Sequence, residues 1–161
     1  MAKFTWNNCA VPHNLKIKQV YGVVFSDDKR ILLRLDDNKY KLTGGKPEEN
    51  ENCEETLRRE YIEELNIELD DIHYLGYLSV EENNIETYAQ VRMIGKIKNI
   101  NKNRPDIDTG KQYKRFLSSV NNVKRYLNYE DEAGNMLIDE AIIMANKKYK
   151  FEKISDIENY V

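Results

Sequence analysis

Apolar and polar positions along the chain follow two different periods, and their order predicts the elements. Residues 17–25 (IKQVYGVVF) are rich in β-formers and end in a near-continuous apolar run, the pattern of a central strand. Asp27-Asp28-Lys29 reads as a turn, and 31–34 (ILLR) resumes as a strand. Asp36-Asp37-Asn38 then turns again before a short segment at 39–42. Together these predict a β-hairpin or meander. Gly44-Gly45 is expected to break the regular structure, and Pro47 marks a loop.

The clearest helix signal follows. Asn52 is a good N-cap, and Glu55 three positions on makes a capping box with Asn in place of Ser or Thr. Leu57, Tyr61 and Leu65 recur at i, i+4 and i+8, a stripe that can face a sheet. Asn66 tolerates the left-handed conformation that ends many helices, so the helix is predicted over 53–65. Segments 72–80 and 87–97 read as strands, and the polar stretch 98–110 as a loop. Two helices are expected next, one on Phe116, Leu117, Val120, Val123 and Leu127, the other on Met136, Leu137, Ile138, Ala141, Ile142 and Ala145. Gly134 weakens the start of the second. Residues 151–161 give no assignment. Strands, a helix, more strands and then helices make a mixed α/β layer protein.

Composition narrows the classes. With 161 residues, 40% hydrophobic and 33% charged, the chain is expected to form one soluble domain over 1–161, with a core at about 17–147 and a C-terminal extension at 148–161. No apolar run approaches the roughly 18 residues of a membrane span, and the first residues lack the apolar stretch of a secretory leader. A net charge of -3 argues against bulk attraction to duplex nucleic acid but leaves room for a small phosphate-bearing ligand. Cys9 and Cys53 form no metal or disulfide spacing, so a reducing cytoplasm is the expected location. Cys53 falls at a helix N-terminus, a position that lowers thiol pKa, but no His or Asn partner is evident. His13 and His73 lie far apart and read as solvated or core side chains.

The chemistry concentrates on the predicted helix 53–65. Glu60, Glu63 and Glu64 stand at i, i+3 and i+4 and share one face. Like charges at this spacing cost a helix about 0.2–0.5 kcal/mol per pair, so the cluster opposes stability unless something neutralises it. A hard divalent cation would, because such ions take carboxylate oxygens together with waters and substrate phosphates. An exposed acidic face, with Arg59 and Glu63 as an ordinary i, i+4 pair, is the plainer reading of the triplet alone.

The spacing of the whole segment decides between these. Gly45, five residues, Glu51, seven residues and then Arg59-Glu60-Tyr61-Ile62-Glu63-Glu64-Leu65-Asn66-Ile67 resembles the Nudix hydrolase signature, G-x5-E-x7-R-E-U-x-E-E-x-G-U with U a bulky apolar residue. Gly45, Glu51, Arg59, Glu60, Glu63, Glu64 and Ile67 match in register, and Tyr61 takes the first U position. Asn66 stands where the family has Gly, and Thr43, in Tyr40-Lys41-Leu42-Thr43-Gly44-Gly45, replaces the usual proline. Resemblance in element order runs from about 17 to 144 and is close over 40–67.

The resemblance implies an α/β/α sandwich with a mixed sheet and the motif as a loop–helix–loop. It also implies metal-dependent hydrolysis of a nucleoside diphosphate linked to another moiety. By that analogy Glu60, Glu63, Glu64 and the Gly44 carbonyl hold Mg²⁺ (or Mn²⁺), and Glu51 and Arg59 form the ion pair that braces the motif. Glu60 is the first choice of general base, with Asp106 and Asp108 as candidates on the later loop; the plainer reading of both is a solvated loop. Arg34 is a candidate phosphate ligand or else an exposed strand-end cation, and Tyr40 or Tyr88 a candidate for stacking on a base. Dimers are common in the family. The alternative is an inactive Nudix-fold module that binds a nucleotide or a protein. The choice among nucleoside triphosphates, nucleotide sugars and dinucleoside polyphosphates stays open, and residues 80–86 lack the proline associated with some subfamilies.

Overall fold

The apolar run of β2 (Lys16–Phe25) arises because both faces of this strand are covered. In the computed structural model, which describes residues 2–161, Val20 and Val24 pack against Leu57, Tyr61 and Leu65 of α1 (Cys53–Leu65). Val23 and Phe25 face the other way, toward Leu137, Ile138, Ala141 and Ala145 of α3 (Glu132–Lys148). The result is an α/β/α sandwich, with α1 on one face of the sheet and the short α2 (Val123–Leu127) and α3 on the other. β2 comes closest to α1 at Gly22. A side chain at Gly22 would meet Leu57 and Tyr61 at 3.1 Å, and the Tyr61 hydroxyl donates to Gly22 O at 3.0 Å.

Described residues form one mixed sheet. Its other strands are β1 (Lys3–Asn7), β3 (Ile31–Asp36), β4 (Lys39–Lys41), β5 (Thr43–Gly45), β6 (Ile67–Glu82), β7 (Ile85–Ile100), β8 (Lys114–Ser118) and β9 (Asn159–Tyr160). The order is β1-β6-β7-β2-β3-β8-β9, with β4 on β3 and β5 on β2. β2 and β7 are parallel, and β6 and β7 form a long antiparallel hairpin.

Several expectations are corrected. The helix expected around 116–127 is a strand followed by one short helix. Phe116 and Leu117 enter opposite cores, as neighbours on a strand must, and β8 pairs with both β3 and β9. Gly44-Gly45 does not leave the sheet: both residues belong to β5, opposite Tyr21 and Val20. The two strands predicted at 72–80 and 87–97 are longer at both ends, and β1 is a strand the apolar pattern did not mark. The segment after α3 returns to the sheet and ends as β9.

Candidate active site

α1 begins where its sequence says it should. Asn52 Oδ1 accepts from Glu55 N at 2.8 Å, and Glu55 Oε1 accepts from Asn52 N at 3.2 Å, closing the capping box. Burial of Leu57, Tyr61 and Leu65 fixes the rotation of the helix, and this orients Arg59, Glu60, Glu63 and Glu64 toward the strand ends and the following loop. Asn66 closes the helix in the left-handed region, with φ 52° and ψ 46°.

Arg59 organises the acidic face. Its Nε and Nη2 donate to the two Glu51 oxygens at 2.7 and 3.0 Å, and Nη2 also reaches Lys46 O at 3.0 Å. Nη1 bridges Glu60 at 2.9 Å and Glu63 at 3.1 Å. Glu51 further accepts from the Thr56 hydroxyl at 2.7 Å and Glu48 N at 3.0 Å, and these donors, Arg59 first, pull its pKa down to about 2. Arg59 and Glu51 therefore tie the loop before α1 to the helix. The Glu60 carboxylate lies flat over Gly45, where a Cβ would sit 2.2 Å from its Oε1. Gly44 is equally confined, with a Cβ 2.0 Å from Val20 O. The paired glycines answer a close approach of backbone to carboxylate and to a neighbouring strand.

Three acidic groups here resist ionisation. Burial raises the pKa of Glu60 and of Glu63, with Arg59 opposing in each case, and burial carries Glu64 to about 7 against the pull of Arg34. Arg34 Nη1 donates to Glu64 at 2.6 Å, and its guanidinium carbon lies 4.6 Å from the Tyr113 ring centroid. Arg34 is thus a largely buried ion-pair partner, not an exposed strand-end cation.

The loop after β7 is laid along the end of α1. Arg104 donates to Glu63 O at 3.3 Å and to Ile62 O at 2.8 Å, a carbonyl that also accepts from Asn66 N, and Asn66 Nδ2 donates to Lys102 O at 2.9 Å. This brings Asp106 and Asp108 to the acidic face, where Asp106 helps raise Glu60 and Glu64, and Asp108 helps raise Glu63. The solvated-loop reading fails for Asp106. It is buried, and its Oδ1 accepts from Asp108 N at 2.7 Å and Thr109 N at 3.2 Å, a turn-capping role. Asp108 lines an open cleft with Lys46, Arg59 and Glu60.

Whether these residues suit a metal ion is a question of donor chemistry. Among the described residues no three acidic, His or Cys side chains converge on one point, because Glu60 and Glu63 are turned to Arg59 and Glu64 to Arg34. The donor set itself fits a hard cation: three carboxylates of low exposure within one helical turn, with raised pKa values that an added positive charge would relieve.

Arg34 also lines a second cavity of about 320 Å³, with Tyr21, Tyr40, Leu42, Gln90, Arg92, Leu127 and Tyr129 among its walls. Tyr40 therefore shares a cavity with Arg34, the ion-pair partner of Glu64, whereas Tyr88 stacks under Lys18 Nζ at 4.4 Å. A larger cavity, about 570 Å³, lies among Asp28, Arg30, Lys98 and Val161 and contains none of the acidic residues of α1. His73 pairs with Asp71 at 2.7 Å, His13 is exposed, and burial pushes the Cys53 thiol up, not down as its helix position suggests. Arg104 and Arg92 were not singled out from the sequence. The available signal for Arg92 was a cation placed between apolar neighbours on a central strand.

A family model described as NUDIX domain matches residues 16–112. No curated protein matches the chain. Among solved structures, the chain is similar to the pyrophosphohydrolase BsRppH of Bacillus subtilis, with 18% identity, a TM-score of 0.69 and coverage of 91% of this chain and 93% of that one. It is similar to a NUDIX hydrolase from Nitrosomonas europaea at 20% identity and a TM-score of 0.60, covering 85% and 94% of the two chains. It also resembles MutT, from work on the Aliivibrio salmonicida and Vibrio cholerae proteins, at 19% identity and a TM-score of 0.56, covering 80% and 98%.

Proposed function

The chain belongs to the Nudix family, whose members include pyrophosphohydrolases, and from that premise we propose that it is a divalent-metal-dependent hydrolase of a nucleoside diphosphate linked to another moiety. One observation carries the reading. Glu60, Glu63 and Glu64 are gathered on one turn, with side chains only 13%, 19% and 12% exposed and pKa values raised against the pull of two arginines. A purely structural role would gain nothing from holding three carboxylates in this state.

In this proposal Glu60, Glu63 and Glu64, with the Gly44 carbonyl, hold Mg²⁺ or Mn²⁺. When bound, that ion would neutralise phosphate charge and make water a stronger nucleophile. The rest falls to the chain. A water oxygen forms a bond to phosphorus as the P–O anhydride bond breaks, and the water proton passes to a carboxylate. Glu60 takes that part, because burial and its acidic neighbours already raise its affinity for a proton. Arg59, fixed by Glu51, keeps Glu60 in place from its far side. With Glu64 holding the ion, Arg34 would be free of its present ion pair and could donate to a phosphate oxygen. Tyr40 lines the adjoining cavity for the organic half of the substrate.

The test is turnover of nucleoside triphosphates, nucleotide sugars and dinucleoside polyphosphates with Mg²⁺ or with EDTA, followed by chromatography. Metal-dependent release of a nucleoside monophosphate is expected, falling at least about 100-fold for Glu63→Gln. Ligand binding without any product would leave the inactive-module reading in its place.

A further inference from the structure

Arg92 is a buried cation with almost nothing to do. It is 5% exposed, its Nε has no hydrogen-bond partner, and its one polar contact is a marginal 3.5 Å approach of Nη1 to Val91 O. Among the described residues it makes no ion pair. A guanidinium left this way in a protein interior is costly unless a ligand completes it. Its surroundings are built, not accidental: Arg92 sits opposite Tyr21 in the β2–β7 register, with its guanidinium carbon 4.7 Å from that ring's centroid, and both residues line the 320 Å³ cavity next to Arg34.

The other walls say what kind of acceptor fits. Lys41 pairs with Asp36 at 3.6 Å, and Arg34 is held by Glu64 here and assigned to phosphate in the proposed reaction, which leaves Arg92 as the cation available to the base. Around it stand Tyr21, Tyr40, Tyr129, Leu42 and Leu127, surfaces suited to a flat ring more than to a hydrated phosphate. Gln90 lies two residues from Arg92 on the same strand face. Its Nε2 donates to Gln19 Oε1 at 2.7 Å, and among the described residues its own carbonyl oxygen accepts no bond, so this cavity-lining side chain has an acceptor to offer.

We infer that this cavity selects a 6-oxopurine base, guanine or hypoxanthine, in the substrate. The Arg92 fork donates to the adjacent O6 and N7 acceptors, and Gln90 accepts from the N1–H edge. Adenine presents an amino donor where the guanidinium needs an acceptor, and pyrimidines lack the paired acceptors of the purine edge. This assignment rests on the nucleotide hydrolase reading for its substrate but not for its test.

The test is a calorimetric titration of the full chain with GMP, IMP, AMP and inorganic phosphate, which measures binding without turnover. GMP and IMP should bind roughly tenfold to 100-fold more tightly than AMP, with phosphate alone weak. Arg92→Met should bring GMP down to the AMP level while the thermal unfolding transition is retained, and Arg92→Lys, which keeps charge but not the fork, should restore little of the preference. Equal affinity for GMP and AMP, no binding of GMP, or phosphate binding as tightly as GMP would each overturn the inference. The two readings separate cleanly. Selective GMP binding with no hydrolysis keeps the pocket and removes the enzyme, whereas equal hydrolysis of guanine and adenine substrates does the reverse.

Discussion

Glu51 and Glu64 are both acidic, both largely buried, and shifted in opposite directions. Glu51 is surrounded by donors, Arg59 foremost, and its pKa falls to about 2. Glu64 is dominated by burial, and its pKa rises to about 7. Linkage gives each a sign. For Glu51 the unfolded chain binds more protons, so its stabilisation is complete above the unfolded value of about 4.3 and is lost as pH falls toward 2. For Glu64 the folded chain binds more protons, so stability declines as pH rises from about 4.3 through 7. The metal-free protein should therefore show a stability maximum at about pH 4 in urea titrations. Glu64→Gln should flatten the alkaline limb, and Glu51→Gln should flatten the acid limb while costing about 1.5–3 kcal/mol at neutral pH. Mg²⁺ should restore stability on the alkaline limb of the unaltered chain, by about 2.7 kcal/mol at 100 times its dissociation constant, and should do so far less for Glu64→Gln.

Among the elements, α1 is legible because its determinants are local. Its capping box, its Leu57–Tyr61–Leu65 stripe and its Asn66 stop are all written within fifteen residues, and each is present in the structure. Asn66 shows why a departure from the Nudix signature is tolerated. It holds φ 52°, where Asn is the next best residue after Gly, and it adds a bond Gly lacks, to Lys102 O at 2.9 Å. Asn66→Ala should cost about 1–2 kcal/mol in denaturant midpoints, through backbone strain and the lost bond. Asn66→Gly, which loses only the bond, should stay within about 1 kcal/mol of the unaltered chain. β8 escapes the pattern for the opposite reason: its helical spacing is coincidental, and its identity comes from β3 (Ile31–Asp36) and β9 (Asn159–Tyr160), which lie at opposite ends of the chain. β1 and β5 are too short to announce themselves and exist through β6 and β2. The same division runs through the site. The spacing of the motif pointed to Glu51, Arg59 and the three carboxylates, but Arg104, Asp106 and Arg92 acquire their surroundings only when the loop and strands close on one another.

At the scale of the molecule, the C-terminal segment acts as a strap joining the sheet to both candidate subsites. Ser155 N donates to Asp28 O at 3.0 Å, and Glu158 accepts from Ser119 N at 3.0 Å and from the Tyr126 hydroxyl at 2.9 Å. β9 covers the edge of β8 that would otherwise be open to another chain. Two contacts reach further. The Tyr160 and Tyr40 hydroxyls lie 2.7 Å apart, so the strap braces one wall of the cavity. Buried Arg115 donates to Val161 O at 2.9 Å, Leu65 O at 2.9 Å and Asn101 O at 2.7 Å, joining the strap, the end of α1 and the start of the loop that carries Asp106 and Asp108. Deleting residues 157–161 removes the Glu158 bonds, exposes β8 and leaves Arg115 with one of its three carbonyl partners gone. The expected loss is about 3–5 kcal/mol, which for a chain of this size lowers the melting temperature by roughly 6–20 °C. Tyr160→Phe isolates the wall from the rest. It removes a single hydroxyl contact, so stability should change by no more than about 1 kcal/mol, and any catalytic effect should appear in KM and leave kcat unchanged. If the deletion left both the melting temperature and nucleotide affinity unaltered, the strap would be an appendage, and the three-way joint at Arg115 would contribute nothing to holding the site together.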